Sequence, residues 1–437
     1  MQKVNGDNLN KYLNQEITIS GWVDSVRDLP FIQFIILRNL TDKIQITIEK
    51  NKDNKKLNDL VTNITNESVI TVTGLLNKND MVKLNQRELI AKQITLNSLA
   101  HPDLPINIKD KDKALRETRL NYRFLDLRRL ENLLIFKVQT TMSMAMRDYF
   151  INNNYMEIHS PRLIGTATES GAEVFEIDYF GTKAYLSQSP QFYKQMAMAA
   201  GFERVFEIGN YFRAEKSHTS YHATEFTGVD IEVSFIDSHH TLMDIQEEWI
   251  KYYLNIVIDQ HAKEIKEVFK LDLKRPNYAF PRLSFQEAKS IIKDVYQYES
   301  DKKDDLDRQD EELIDRYIQE KYQADFVFIT DYPFSARPFY HMLNEDGLTK
   351  SYDLLYKGVE ITTGAQREHR YDILKQQVKQ KGLNLKQINF YLDFFKYGCP
   401  PHGGFGFGLN RFLMRLFDID NIREATYLYR GPNRLYP

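Results

Sequence analysis

The stretch Phe206-Glu207-Ile208-Gly209-Asn210-Tyr211-Phe212-Arg213-Ala214-Glu215, followed by His222 and Thr224-Glu225-Phe226, constrains this chain more than any other segment. Aromatic and β-branched residues on either side of a polar break read as a strand, a turn and a return strand. The pair carries an arginine, acidic residues, a histidine and an aromatic ring into one short region. A carboxylate cannot attack an α-phosphate until the repulsion between two anions is offset, and a guanidinium fork such as that of Arg213 can hold both. The layout therefore suits a grip on ATP and a carboxylate, the reactants of an acyl-adenylate. Positioning and charge neutralisation supply most of what such a displacement needs, so no serine or cysteine nucleophile is required. No Gly-x-x-x-x-Gly-Lys-Ser/Thr loop is present to suggest a P-loop enzyme.

Residues from about 15 to 100 alternate with period 2, as in Ile17-Thr18-Ile19-Ser20-Gly21-Trp22-Val23, Phe34 to Leu37, Ile44 to Ile48 and Val69 to Gly74. A helix-like stretch from Leu57 to Thr62 interrupts them. Five or so short strands with one helix between the third and fourth read as an OB-fold, a small barrel that often binds single-stranded nucleic acid. Next comes a basic track, with Lys109, Lys111, Lys113, Arg116, Arg119, Arg123, Arg128 and Arg129, which reads as a solvated linker or as a hinge touching an RNA backbone. Glu131 to Phe150 has the period and length of an amphipathic helix, and the chain then turns at Asn152-Asn153-Asn154 into a strand ended by Pro161. Charged residues dominate from Asp301 to Glu320, which reads as a solvated helix face.

With 437 residues the chain suits two or three domains, and 42% hydrophobic content is ample to bury their cores. One cysteine, Cys399, excludes a disulfide framework and any cysteine-based zinc or iron–sulfur site, so any metal should sit on oxygen. Nowhere do the roughly 18 apolar residues of a spanning helix run together, and a cytoplasmic location is the expectation. A net charge of −3 argues against general nucleic-acid coating but leaves room for local basic tracks.

Phe212-Arg213-Ala214-Glu215 with His222 and Thr224-Glu225-Phe226-Thr227-Gly228-Val229-Asp230-Ile231-Glu232 resembles motif 2 of the class II aminoacyl-tRNA synthetases. The resemblance extends from Gly21-Trp22-Val23 through Arg119-Leu120-Asn121-Tyr122-Arg123-Phe124-Leu125-Asp126-Leu127-Arg128-Arg129 to the glycines from Gly403 to Gly408. It is strongest to the aspartyl branch of subclass IIb, in its archaeal and eukaryotic form without the bacterial insertion domain. The fold it implies is α+β: an OB-fold β-barrel over 1–104, a hinge over 105–130, and a class II antiparallel β-sheet catalytic domain flanked by helices over 131–437. The helix from Glu131 and the strand after it resemble motif 1, which implies a homodimer.

The resemblance assigns catalysis to Arg213, Glu215 and Arg411, and ATP binding to these three with His222, Phe226 and Glu360. Arg411 would pack on one face of adenine and Phe226 on the other. Mg2+ would rest on Glu360 and Thr363, a threonine where the family usually has serine. L-Aspartate would meet Glu169, Ser189, Gln191, Lys194, Arg213, Asp230, Thr363 and Arg367. Lys194 and Arg367 would supply positive charge to its side-chain carboxylate, and asparagine would leave both without a counter-ion. Glu169, in the small-residue loop 166–171, would help hold the substrate ammonium. In the barrel, Phe34, Gln45 and Glu88 fall at the family's anticodon-binding positions.

Three departures from the family pattern stand out: Tyr221 where arginine is common, Asn410 in place of glutamate, and Leu428-Tyr429-Arg430-Gly431-Pro432 at the C-terminal end. The expected activity is ATP-dependent activation of L-aspartate and transfer to the 3′ end of tRNA-Asp, with tRNA-Asn as a second acceptor left open and an amidotransferase partner implied if it is charged. The alternatives are a paralogue adenylating aspartate or asparagine for a non-tRNA acceptor, and a non-catalytic RNA-binding homologue.

Overall fold

The computed structural model describes residues 2–4, 9–40, 42–110, 114–166, 173–216 and 219–437, the side chains of Gln2 and Lys3 apart. It divides into two compact units, Met1–Tyr122 and Arg123–Pro437, a division inside the 105–130 stretch.

In the first unit the strands are β1 (Gln2–Lys3), β2 (Gln15–Asp28), β3 (Ile32–Arg38), β4 (Lys43–Glu49), β5 (Val69–Lys78) and β6 (Arg87–Ser98), with helix α1 (Lys55–Thr62) between β4 and β5 and a short α2 (Arg116–Asn121) at its end. The order β1-β2-β3-β4-β6-β5, with β2 also paired to β5, closes a barrel. Alternation is the cause: on β5 the inward residues Ile70, Val72, Gly74 and Leu76 alternate with partly exposed Thr71, Thr73 and Leu75. Gly74 sits at a register shift against β6, where a Cβ would collide with the Ile90 carbonyl. Helix α1 is tied to β3 by a reciprocal amide pair, Gln33 Nε2 to Asn58 O at 3.2 Å and Asn58 Nδ2 to Gln33 Oε1 at 3.0 Å. This is the OB-fold expected from the sequence.

The second unit opens with α3 (Arg123–Asp126) and the long α4 (Leu130–Asn152), then β7 (Met156–Glu157), β8 (Leu163–Ile164), β9 (Glu176–Tyr179), β10 (Thr182–Leu186), α5 (Gln191–Ala199), β11 (Arg204–Phe212) and β12 (Glu225–Ser234). It continues through α6 (His239–Phe269), β13 (Arg282–Ser284), α7 (Phe285–Tyr296), α8 (Arg308–Tyr322), β14 (Phe326–Thr330), β15 (Ser351–Tyr356) and β16 (Glu360–Gln366). It ends with α9 (Tyr371–Gln380), α10 (Asn389–Lys396), β17 (His402–Gly408) and α11 (Leu409–Leu416). Eight strands form one sheet in the order β13-β14-β15-β16-β17-β12-β11-β7. Its interior is antiparallel as expected, but the edge pairs β13–β14 and β11–β7 are parallel. The strand expected between Tyr155 and Pro161 shrinks to the two residues of β7.

One face of this sheet is packed by α4 and α6, with Phe150, Trp249, Phe405 and Phe407 in a single aromatic core. The charged stretch after Asp301 is more than a solvated face, because Asp310, Ile314 and Ile318 of α8 are buried. The basic track is likewise partly structural. Arg123 is 1% exposed and donates to the carbonyls of Glu424, Thr426 and Tyr427 while pairing with Asp126 at 2.6 Å. Arg119 and Arg129 are also buried, and Lys111 and Lys113 lie outside the described residues.

Candidate active site

The adjacent strands β11, β12, β17 and β16 build the floor of a cavity of about 320 Å³. On β17 the period of 2 sorts glycine from phenylalanine: Gly406 and Gly408 line the cavity, while the rings of Phe405 and Phe407 pack against Trp249 in the core, tilted at 5.7 Å and edge-on at 5.1 Å, with Phe407 also bordering the cavity. The glycines are required by their neighbours on β12. A Cβ at Gly406 would stand 3.1 Å from Asp230 Oδ1, and one at Gly404 would collide with the Ile231 carbonyl and the Glu232 carboxylate. The glycine run from Gly403 to Gly408 is thus a central strand, between β16 and β12.

Every described residue that the sequence reading assigned to catalysis, ATP, aspartate or metal lines this one cavity: Ser189, Gln191, Lys194, Arg213, Glu215, His222, Phe226, Asp230, Glu360, Thr363, Arg367 and Arg411. Glu169 lies outside the described residues.

At one end, two buried cations meet two buried carboxylates. Lys194 Nζ lies 3.0 Å from Asp230 Oδ1, 3.4 Å from Glu232 Oε2 and 3.2 Å from the Phe405 carbonyl. Arg367 donates to Glu232 Oε1 at 3.0 Å, to Glu232 Oε2 at 3.5 Å, to the Gly404 carbonyl at 2.9 Å and to His341 Nε2 at 3.2 Å. That uses four of its five N–H groups and leaves one on Nη1. Burial raises the Asp230 carboxyl above its usual range despite Lys194. Burial acts on Glu232 in the same sense, but Arg367 and Lys194 outweigh it and hold that carboxyl low. Lys194 and Arg367 are therefore not the unpaired cations expected from the sequence, which asparagine would leave without a counter-ion: Asp230 and Glu232 already balance them. A bound side-chain carboxylate must share these cations rather than complete them.

At the other end lie the groups expected to face phosphate. The Arg213 guanidinium covers the Phe226 ring at 5.1 Å. Arg411 donates to the carbonyls of Glu360 at 3.2 Å and Tyr221 at 3.4 Å. His222 Nε2 is 3.9 Å from Glu215 Oε2, and burial together with Arg411 pushes its pKa down, keeping the ring neutral. Thr363 Oγ1 is 2.8 Å from Asp353 Oδ1 and 3.1 Å from Glu360 Oε1. Burial and the Asp353 charge raise the Glu360 carboxyl, a strain a cation would relieve. These donors are all hard oxygens, the set Mg2+ prefers. Among the described residues no group of three or more His, Cys, Asp or Glu is arranged to hold a metal. A pair of protein donors still fits an ion that keeps waters and substrate phosphates as its other ligands.

Several site residues escaped the sequence reading. Glu232 anchors both buried cations, and its spacing of two from Asp230 on one strand was the available signal. Arg337, paired with Asp353 at 3.1 Å, and His341 come from the connection after β14, which carries no periodicity to read. From α8, the Arg308 guanidinium stacks on the Tyr221 ring at 4.2 Å, so a cation does stand beside the position where Tyr221 departs from the family. Asn410 bridges the Thr227 amide at 3.1 Å and the Ala425 carbonyl at 3.4 Å. The carbonyl of Arg430, in the third departure, receives the Thr224 amide at 3.0 Å.

In the barrel, Phe34 pairs with Thr47 across β3 and β4, and Gln45 pairs with Glu88 across β4 and β6. All three expected anticodon residues are thus on one outward face. Thr47 Oγ1 donates to Glu88 Oε2, and Asn79 Nδ2 donates to Glu88 Oε1 at 2.7 Å.

Residues 115–430 match the tRNA synthetases class II (D, K and N), and residues 17–97 match the OB-fold nucleic acid binding domain. The chain is 41% identical to the aspartate–tRNA(Asp) ligase of Pyrococcus abyssi over 425 residues, 97% of this chain and 96% of the relative. It is 40% identical to the aspartate–tRNA(Asp/Asn) ligase of Methanopyrus kandleri over 423 residues, 97% of this chain and 96% of the relative. The structure superposes on asparaginyl-tRNA synthetase from Pyrococcus horikoshii complexed with asparaginyl-adenylate with a TM-score of 0.92, at 29% identity and full coverage of both chains.

Proposed function

The chain belongs to the class II tRNA synthetases of the D, K and N group, and on that premise we propose that it activates L-aspartate with ATP and transfers the aspartyl group to the 3′ end of tRNA-Asp. The observation that carries this reading is the cavity itself, where two buried cations at one end and two arginines with hard oxygen donors at the other share one space of about 320 Å³.

Aspartate binds with its side-chain carboxylate toward Lys194 and Arg367, its ammonium toward Asp230 and Gln191, and its α-carboxylate beside Arg213, with Ser189 shaping the wall. Both cations are nearly saturated, so binding redistributes existing charge pairs. Asparagine would bring no charge to justify loosening them, which disfavours it. ATP lies between Arg213 and Arg411 with Phe226 against the base, Glu215 and His222 toward the polyphosphate. The α-carboxylate oxygen attacks the α-phosphorus and pyrophosphate leaves; Arg213 offsets the repulsion between the two anions as they approach. Glu360 and Thr363 would hold Mg2+, which neutralises charge on the phosphate oxygens when bound. The ribose hydroxyl of the tRNA then takes the aspartyl group.

Phe34, Gln45 and Glu88 read anticodon bases, a role supported by their common outward face. A homodimer through α4 and β7 is supported by the apolar exposure of Met144, Ile151 and Met156 and by the edge position of β7. Among the described residues no helix is long and apolar enough to cross a membrane; we place the protein in the cytoplasm, with the tRNA pool.

Because a relative of 40% identity is named for both tRNA-Asp and tRNA-Asn, charging of tRNA-Asn is the second reading, and an amidotransferase would then have to correct the product. The test is transfer of labelled aspartate to purified tRNA-Asp and tRNA-Asn, with pyrophosphate exchange in the same preparation. Charging of tRNA-Asp alone defines a discriminating enzyme, and charging of both defines the second reading. Aspartate-dependent exchange without charging of either would overturn the tRNA acceptor.

A further inference from the structure

His402 opens β17 and is fully buried. Its carbonyl receives the Arg367 backbone amide at 2.8 Å, and its ring makes no hydrogen bond to any residue expected to meet substrate. Its Nδ1 lies 2.8 Å from the Pro400 carbonyl, with Cys399 Sγ farther off at 3.7 Å. A carbonyl oxygen only accepts, so Nδ1 carries the proton. A neutral imidazole has one N–H, which makes Nε2 a bare lone pair. Burial pushes the ring pKa down to about 4 against the opposing pull of Glu232, so the ring is neutral at physiological pH.

That lone pair faces Gln195 Nε2 at 3.0 Å, and Gln195 is fully buried. Gln195 must therefore present its NH2 group to His402 and its oxygen to the other side. The oxygen receives Gln191 Nε2 at 2.8 Å and Tyr391 Oη at 3.0 Å, which fills both of its lone pairs. Gln191 in turn commits its NH2 group inward. Its own Oε1 makes no hydrogen bond among the described residues, and Gln191 lines the cavity beside Ser189, Lys194 and Asp230.

We infer that His402, acting through Gln195, fixes the orientation of the Gln191 amide and so aims an acceptor oxygen, not an NH2 group, at the amino group of the substrate. This rests on the aspartate reading given above. An ammonium donates and cannot accept, so an inverted Gln191 would meet it with two further donors. Each link has one solution because its neighbour has only one; the backbone carbonyl of Pro400 sets the polarity of the whole chain. His402 and Gln195 are positioning residues for the amino-group subsite.

Two measurements on the full-length protein test this. Histidine-selective 15N labelling, with His402 identified by its loss in His402→Gln, reads the proton directly: protonated Nδ1 and bare Nε2 are expected, and an Nε2–H tautomer would overturn the inference. In pyrophosphate exchange, His402→Phe should raise the KM for aspartate by about tenfold, the scale of one charge-assisted hydrogen bond. The KM for ATP should hold, as should inhibition by succinate, which is aspartate without the amino group. His402→Gln, whose oxygen can face Gln195, should recover most of the loss. Equal weakening of aspartate and succinate would mean a general structural role and sink the relay. If the wild-type protein shows no aspartate-dependent exchange, the proposed substrate fails, and the position of the proton alone decides the relay.

Discussion

Lys194 enters the cavity already holding two carboxylates, and this makes it as much a structural residue as a recognition residue. Replacing it by glutamine would leave Asp230 and Glu232 buried with half their compensation, at a cost of about 3–5 kcal/mol. Lys194→Gln should therefore lower Tm visibly in thermal unfolding, and also depress kcat/KM for aspartate by roughly 100-fold or more in pyrophosphate exchange, since a charge-bearing contact is lost at the reacting end. Glu311 on α8 is a second case where burial decides behaviour. Burial, reinforced by the Glu360 charge, raises its carboxyl from 4.5 to about 8. The folded protein thus keeps a proton that the unfolded chain releases near 4.5, so this site favours folding at low pH and loses that advantage as pH climbs toward 8. Glu311→Gln removes the penalty of ionising a buried carboxyl. Its Tm should exceed that of the wild type by several degrees at pH 9 and match it near pH 5; equal values at both pH would refute the assignment.

At the scale of elements, β17 shows how a strand can be made of glycine and still be central. Its cavity face gives up side chains so that Asp230, Glu232 and Arg367 have room, and its other face regains stability through Phe405 and Phe407 against α6. Gly406→Ala puts a methyl 3.1 Å from Asp230 Oδ1, so that carboxylate must give by a few tenths of an ångström while held 3.0 Å from Lys194. The expected result is a KM for aspartate raised roughly tenfold, as sub-ångström misplacement in a binding site commonly costs, with far-ultraviolet circular dichroism unchanged. A lower KM, or none of the expected rise, would show that Asp230 is not set by this strand. Helix α8 makes the complementary point: its sequence is so charged that a solvated face is the natural reading, yet its first turn delivers Arg308 to Tyr221 and Glu311 toward Glu360.

At the scale of the whole molecule, each of the two units has its own hydrophobic core, with Ile17, Ile35, Ile46 and Val72 at the centre of the barrel and Phe150, Trp249 and Phe405 at that of the larger unit. Units with separate cores fold separately. The fragment Met1–Tyr122 should unfold cooperatively on its own in urea, and the fragment Arg123–Pro437 should retain aspartate-dependent pyrophosphate exchange while losing selectivity among tRNAs. Non-cooperative melting of the small fragment would show that its core is insufficient alone. The barrel, the hairpin around Arg213 and the residue types of the catalytic pocket were all legible in the chain, because strand alternation and short motifs are written in neighbouring residues. The pairing of Lys194 with Asp230 and Glu232, the burial of Arg123 beneath the C-terminal carbonyls and the amide chain from His402 to Gln191 were not. Each joins residues far apart in sequence, and whether a charge is paired, a proton retained or an amide turned depends on burial and on which partner arrives from another strand. Local patterning determined which groups the protein carries; tertiary packing alone decided which of them face each other out of water.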